Sequence, residues 1–302
     1  MRHCAFSGVT LTSMRRAVCQ AATILAGTAV WAAAAQPDGS SDVPALLARI
    51  GERVEQYFAR AQSIVCRETV QLQPLNYDRS WDGSHVRKLV YELRVAWDAS
   101  TTEGKAPDAT VLRELVSVDG RPPKAGDELG CLDPKAASPE PLAFLLPGLQ
   151  RDVVFTWAGA NRTRDRSVRL DFKSEIEAAP RVTREGDCLS FSLPSRGRVW
   201  VEEATANVLR LDTQLVRAFE FPVPKDQLRF ASSSSWAIEG LESSIRYRAV
   251  VFHDPEETVM LPQSVETVQM TRKSGRSGMR ISHAFSDYRR FITGARIVAQ
   301  PR

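Results

Sequence analysis

Between residues 42 and 61 apolar side chains recur every three or four positions: Leu46, Leu47, Ile50, Val54, Tyr57, Phe58 and Ala61. That spacing is the stripe of an amphipathic α-helix. Asp42 stands where an N-cap belongs and Pro44 falls in the first turn. Arg49, Glu52, Arg53, Glu55 and Arg60 occupy the remaining surface. The predicted helix of about five turns therefore lies with its stripe on something apolar and its charges outward.

From Ile64 onward the period drops to two, and eleven segments alternate in this way: 66–73, 85–97, 111–118, 153–157, 168–173, 189–193, 198–202, 208–216, 244–252, 258–270 and 279–289. Asp119-Gly120, Glu185-Gly186, Asp254-Pro255 and Ser274-Gly275 punctuate them as turns. Short connections between many strands predict an antiparallel sheet, and eleven strands curl rather than lie flat. The expected class is α+β, a strongly curled antiparallel sheet with one helix across it. Residues 43–293 read as a single domain, 36–42 as a flexible lead-in and 294–302 as a tail. Two stretches interrupt the alternation. Residues 138–147, bracketed by prolines, read as a short apolar helix or loop, and 222–235 as a long loop without period.

One hairpin carries adjacent carboxylates: GRVWVEEATANVLRL, residues 197–211. Consecutive strand residues point to opposite faces, so Glu202 and Glu203 do not converge on one substrate atom. Val199 and Val201 share a face with Glu203, and Trp200 shares the other with Glu202. Asn207 is the residue expected to take the left-handed turn conformation.

Composition changes the picture at the N-terminus. The first 35 residues hold Arg2, Arg15 and Arg16 but no acid, and the apolar run 21–35 ends in Ala33-x-Ala35. This pattern reads as a secretory signal peptide, with Met1 or Met14 as its start. Nothing later is long and apolar enough for a membrane-spanning helix. Removing the three leader arginines from 40 basic residues against 36 acidic ones leaves a net charge of about +1. That balance gives no reason to expect a nucleic-acid partner. Cys66, Cys131 and Cys188 follow the leader, so one disulfide and one spare thiol are expected in an oxidising compartment, with the pairing open.

Candidate chemistry is sparse. Motifs for a serine nucleophile, a phosphate loop or a dinucleotide loop are absent. His253 with Glu256 and Glu257 is the one acid-histidine cluster, and the turn it flanks explains it; no catalytic residue, metal site or cofactor is expected. The apolar inventory says more. Trp97, Phe144, Leu145, Phe155, Trp157, Phe172, Trp200 and Phe252 lie on the sheet or on the proline-bounded segment beside it. A curled sheet with a helix across its mouth leaves room for an apolar cavity, and these eight are its candidate ligand contacts.

The passages GRVWVEEATANVLRLD and YRAVVFHDPEETVMLPQSVETV, behind an exported leader and one helix, resemble the LolA/LolB-like periplasmic lipoprotein-carrier superfamily. A WVDPxTxxxxR-like hairpin of that family is matched by Trp200, Val201, Glu202, Glu203, Ala204, Thr205 and Arg210, and an LP step by Leu261-Pro262. YFARAQSIVCRETV and HAFSDYRRF are similar to passages of uncharacterised secreted proteins of acidobacterial type. The resemblance implies an incomplete β-barrel wrapped on the helix, enclosing an apolar cavity and without catalytic residues. The function expected is exported, non-enzymatic binding of a lipid, acyl chain or lipoprotein segment. The alternatives are an envelope sensor or scaffold that docks a protein through residues 219–236, and, last, a hydrolase using His253.

Overall fold

The computed structural model describes residues 42–60, 63–97, 109–127, 140–161, 166–174, 181–185, 188–225, 228–231, 233–253, 256–273 and 277–290. The leader, Cys131 and the tail lie outside them. The predicted helix is present as α1, Val43–Arg60. Leu46, Ile50, Val54, Tyr57 and Phe58 of its stripe are buried. The Asp42 carbonyl accepts from the Leu46 amide at 3.0 Å, closing the first turn. Among the described residues no helix is long and apolar enough to cross a membrane.

Thirteen strands follow: β1 Ile64–Leu75, β2 Arg87–Trp97, β3 Ala109–Val118, β4 Val153–Asn161, β5 Ser167–Ser174, β6 Arg181–Glu185, β7 Cys188–Ser192, β8 Ser195–Glu202, β9 Val208–Leu215, β10 Phe219–Pro222, β11 Ser235–His253, β12 Glu256–Arg272 and β13 Gly278–Arg290. Each of the eleven segments read from alternation is a strand. The two additional strands, β6 and β10, are short pieces whose alternation is too brief to register. The segment 138–147 contains a 3-10 helix at Glu140–Leu145.

The main sheet runs β3-β2-β1-β13-β12-β11-β9-β8-β5-β4, with β10 added beside β11, and β6 pairs only β7. All pairings are antiparallel. The order leaves β3 and β4 as the two ends, so the sheet is not closed. The helix α1 touches both β12 and β4, which lie five strand positions apart. Five steps of ~4.8 Å span ~24 Å, about twice a helix diameter, so the sheet curls toward α1 to meet it.

One core joins the elements. Ile50, Val54 and Phe58 of α1 pack with Cys66, Leu93, Leu170, Val199, Leu211, Leu261 and Phe285 from the strands. The charges of α1 are not all solvent-facing as the pattern implies. Arg49 Nη2 donates to the carbonyls of Glu203 and Ala204 at 2.9 and 2.8 Å, and Arg53 Nε to that of Thr205 at 2.8 Å. The helix is thereby fastened to the β8–β9 turn, whose carbonyls are otherwise free of ladder bonds.

The turn itself corrects one expectation. Ala206, not Asn207, takes the left-handed conformation, with φ 58°. Thr205 Oγ1 donates to Glu202 Oε2 at 2.5 Å and accepts from the Asn207 amide at 3.2 Å. Holding that geometry leaves the αL position at 206, where the small Ala side chain is buried. Glu202, the last residue of β8, accepts from Thr205, and Glu203 is an exposed residue of the turn.

The stretch 219–236 is likewise not a loop throughout. Phe219–Pro222 pairs in register with 235–238 of β11. Phe221 rests on Phe219, Phe191 and Trp236, with ring centroids 6.0, 5.3 and 6.2 Å away.

Candidate functional site

The eight aromatic and aliphatic candidates divide by what they touch. Phe144, on the 3-10 helix, lies 4.6 Å from Phe172 and 6.1 Å from Phe155, centroid to centroid. Leu145 is fully buried beside them and Trp157 packs on the same core. Gln150 Nε2 fixes this segment under α1, donating to the Leu145 and Leu47 carbonyls at 2.7 and 2.9 Å. Phe252 is buried at the far end of the core, with the Arg290 guanidinium 5.0 Å above its ring. Phe144, Phe155 and Phe172 fill space by packing on one another. Trp97 ends β2, paired to Ala109, and its side chain lies outside the described residues.

Trp200 behaves differently. It is on the sheet face turned away from α1, half-buried, with the guanidinium of Arg210 at 4.7 Å and that of Arg198 at 5.8 Å from its ring.

Space does remain between helix and sheet, lined by residues that the aromatic inventory passed over. A cavity of about 200 Å³ is bounded by Val54 and Tyr57 of α1, Leu142 of the 3-10 helix, and Val208, Tyr247 and Val259 of the sheet. This is well above the ~30 Å³ of one water, so it admits a short chain. Arg53, Gln56 and Arg60, exposed on the outer side of α1, form its rim, and Thr205 and Asn207 of the β8–β9 turn border it. Its inner part is apolar because α1 presents its stripe here and the strands their inward residues.

Two of the lining residues, Tyr57 and Tyr247, end in hydroxyls. The hydroxyls of Tyr57 and Tyr247 are buried, and among the described residues neither has a hydrogen-bond partner. Burial drives both phenols well above the ordinary phenol range; at Tyr57 the neighbouring Tyr247 and then Cys66 add to it. Both are therefore neutral donors wherever the fold is intact. A buried hydroxyl without an acceptor is costly, on the order of 1–3 kcal/mol, and proteins rarely leave one so. Pattern reading assigned Tyr57 to the helix stripe and overlooked Tyr247, because a tyrosine on an inward face looks like any other core residue.

Cys66 lies in the same region and is a free thiol. Burial pushes it up to about 12, with the Glu68 charge adding to the rise. The expected disulfide therefore does not use Cys66. Cys131 lies outside the described residues, and of Cys188 only the backbone, in β7, is described. Next along the sheet, Glu68 is fully buried, ion-paired to Arg113 and hydrogen-bonded to His283. His253 is exposed at the end of β11, in register with Glu256 across the hairpin. Among the described residues no three side chains gather as metal ligands.

No protein-family model and no curated protein matches the chain. Among solved structures, the crystal structure of a LolA superfamily protein from Nitrosomonas europaea is similar, with 9% sequence identity and a TM-score of 0.35 over 82% of this chain and 94% of that one.

Proposed function

We propose that the protein is an exported, non-enzymatic binding protein of the periplasm or cell envelope, in which α1 and the curled sheet form a half-barrel that takes an acyl chain. The observation that carries this reading is a cavity between α1 and the sheet whose inner lining is Val54, Leu142, Val208 and Val259 with Tyr57 and Tyr247, two tyrosines whose buried hydroxyls have no hydrogen-bond partner among the described residues. An apolar lining favours an alkyl segment at roughly 25 cal/mol per Å² buried. Two donors without acceptors select an oxygen on that segment, and the ester or amide carbonyl of an acylated lipid or lipoprotein supplies one without burying a charge. Arg53 and Arg60 at the rim suit the anionic headgroup that such an amphiphile keeps in water.

Uptake of a fluorescent acyl ester by delipidated protein tests the reading. Wild type is expected to bind it. Tyr57→Phe with Tyr247→Phe is expected to weaken binding by about tenfold or more, because both donors to the carbonyl are lost. The same double variant unfolds at no lower denaturant concentration, since it removes two unsatisfied hydroxyls. Absence of uptake by wild type, or unchanged affinity in the double variant, would overturn the proposal.

A further inference from the structure

The sheet face turned away from α1 carries a second, larger concavity, and its chemistry is opposite to that of the first. A trough of about 940 Å³ crosses it. Strand alternation dictates its lining: Leu170, Val199 and Leu211 face the core, so their neighbours Asp171, Arg198 and Asp212 face outward. Register then aligns one row across six strands, Thr156, Asp171, Arg198, Asp212, Ser244 and Glu266. Six strands at ~4.8 Å spacing give the row a length of on the order of 24 Å.

Within that row charges are held in place. Arg198 donates to both oxygens of Asp171, at 2.5 and 3.0 Å, and Arg210 Nε to Asp212 at 2.7 Å. The Arg198 pairing pulls the Asp171 carboxyl below its usual range, so it stays an acceptor into acid. Both guanidiniums also stand over Trp200. Each of these arginines keeps N–H groups that its carboxylate does not use, and each carboxylate keeps lone pairs. Fixed donors and acceptors thus alternate along the floor with the hydroxyls of Thr156 and Ser244. Groups that donate and accept at once, such as sugar hydroxyls, match that alternation.

One end of the trough is different. Lys173 and Arg196 are directly opposite each other on β5 and β8, both exposed, and both line the trough. Among the described residues neither has an ion-pair partner. Like charges in register on neighbouring strands destabilise a sheet, and an anion between them converts the repulsion into attraction.

We propose that this trough binds an acidic oligosaccharide, with an anionic substituent between Lys173 and Arg196 and its hydroxyls along the Asp171–Arg198–Asp212–Ser244 row. The four carboxylates that share the lining with these cations, Asp171, Asp212, Glu242 and Glu266, disfavour a uniformly charged polyanion. The sparse charge and dense hydroxyls of an acidic sugar chain are accommodated.

Calorimetric titration of the full chain with a glucose oligomer that carries a single terminal glucuronate tests this. Binding is expected, weakening as salt rises and falling by about tenfold or more in Lys173→Gln with Arg196→Gln. A neutral glucose oligomer of equal length and inorganic phosphate alone are both expected to bind more weakly. Both substituted side chains are exposed, so the variant's unfolding midpoint should stay at or above that of wild type. Its uptake of the acyl ester should also be unchanged, which separates this site from the cavity under α1. No binding of the glucuronate-bearing oligomer, equal binding by the double variant, or equal affinity for phosphate alone would overturn the proposal.

Discussion

Glu68 and His283, 215 positions apart in the chain, meet inside the sheet with Oε1 and Nδ1 2.6 Å apart. The pairing of β1 with β13 brings them together, and Arg113 completes the group from β3, with Nη2 2.7 Å from each carboxylate oxygen. Arg113 also stands 4.6 Å over the Tyr91 ring. Removing the central carboxylate strips a buried guanidinium of its counter-charge. Glu68→Gln is therefore expected to lower the unfolding free energy by about 3–5 kcal/mol, read from urea unfolding, whereas His283→Gln, which leaves the Arg113 pair intact, should cost less.

Stability should also fall in alkali. The folded Cys66 thiol titrates at about 12, and burial likewise raises Tyr57, Tyr247 and Tyr288. An unfolded thiol ionises near ~8.5 and an unfolded phenol near ~10. Below pH ~8.5 both states keep their protons and the contribution is intact. Above it the unfolded state loses protons that the folded state retains, so stability declines by up to about 1.4 kcal/mol per pH unit for each group. The urea midpoint measured from pH 8 to 11 should decline accordingly, and Cys66→Ala should flatten its first part.

Gly197 has no room for a side chain. A Cβ there would stand 1.9 Å from the Asp212 carbonyl oxygen and 2.8 Å from Phe172 Cζ. The first is backbone and cannot turn aside. Gly197→Ala is expected to destabilise by at least about 3 kcal/mol and to broaden the β8–β9 amide signals in NMR spectra.

At the turn of the same hairpin the opposite holds. Ala206 bears a Cβ in the left-handed region, a cost of roughly 1–2 kcal/mol that glycine does not incur. Part of that relief is lost to the greater freedom of glycine when unfolded. Ala206→Gly should raise the thermal midpoint by a few degrees, as calorimetry would register.

The Arg49 and Arg53 bonds to carbonyls 203–205 fasten the helix that roofs the cavity. Replacing both with Ala is expected to cost about 1–2 kcal/mol. Amide exchange in α1 should accelerate more than exchange in the central strands, because the roof opens while the sheet persists.

What could be read from the sequence follows from the range of each signal. The α1 stripe and the eleven strands rest on local periodicity, which needs only a dozen residues to declare itself. Phe219–Pro222 is too short to show it, and the proline made it look like a loop. The Glu68–His283 pair depends on which strands adjoin, and no periodicity in β1 points to β13. Of the aromatic candidates Phe172 and Phe252 are buried, and Phe144, Phe155 and Phe172 fill space together. Among the described residues the hydroxyls of Tyr57 and Tyr247 are left without partners, visible only once the packing is known. The charged row beneath Trp200 was equally hidden, since each of its strands alone shows just an exposed polar residue.

The adjacency of β1 and β13 carries a consequence for the order of assembly. The middle of the sheet is sealed by residues 64–75 and 278–290, so no fragment lacking the latter can complete it. Such distant closure makes folding slow relative to local structures, since the loop entropy is lost before the contacts form. The wiring of the sheet thus keeps the polypeptide pliable until its last strand has been made.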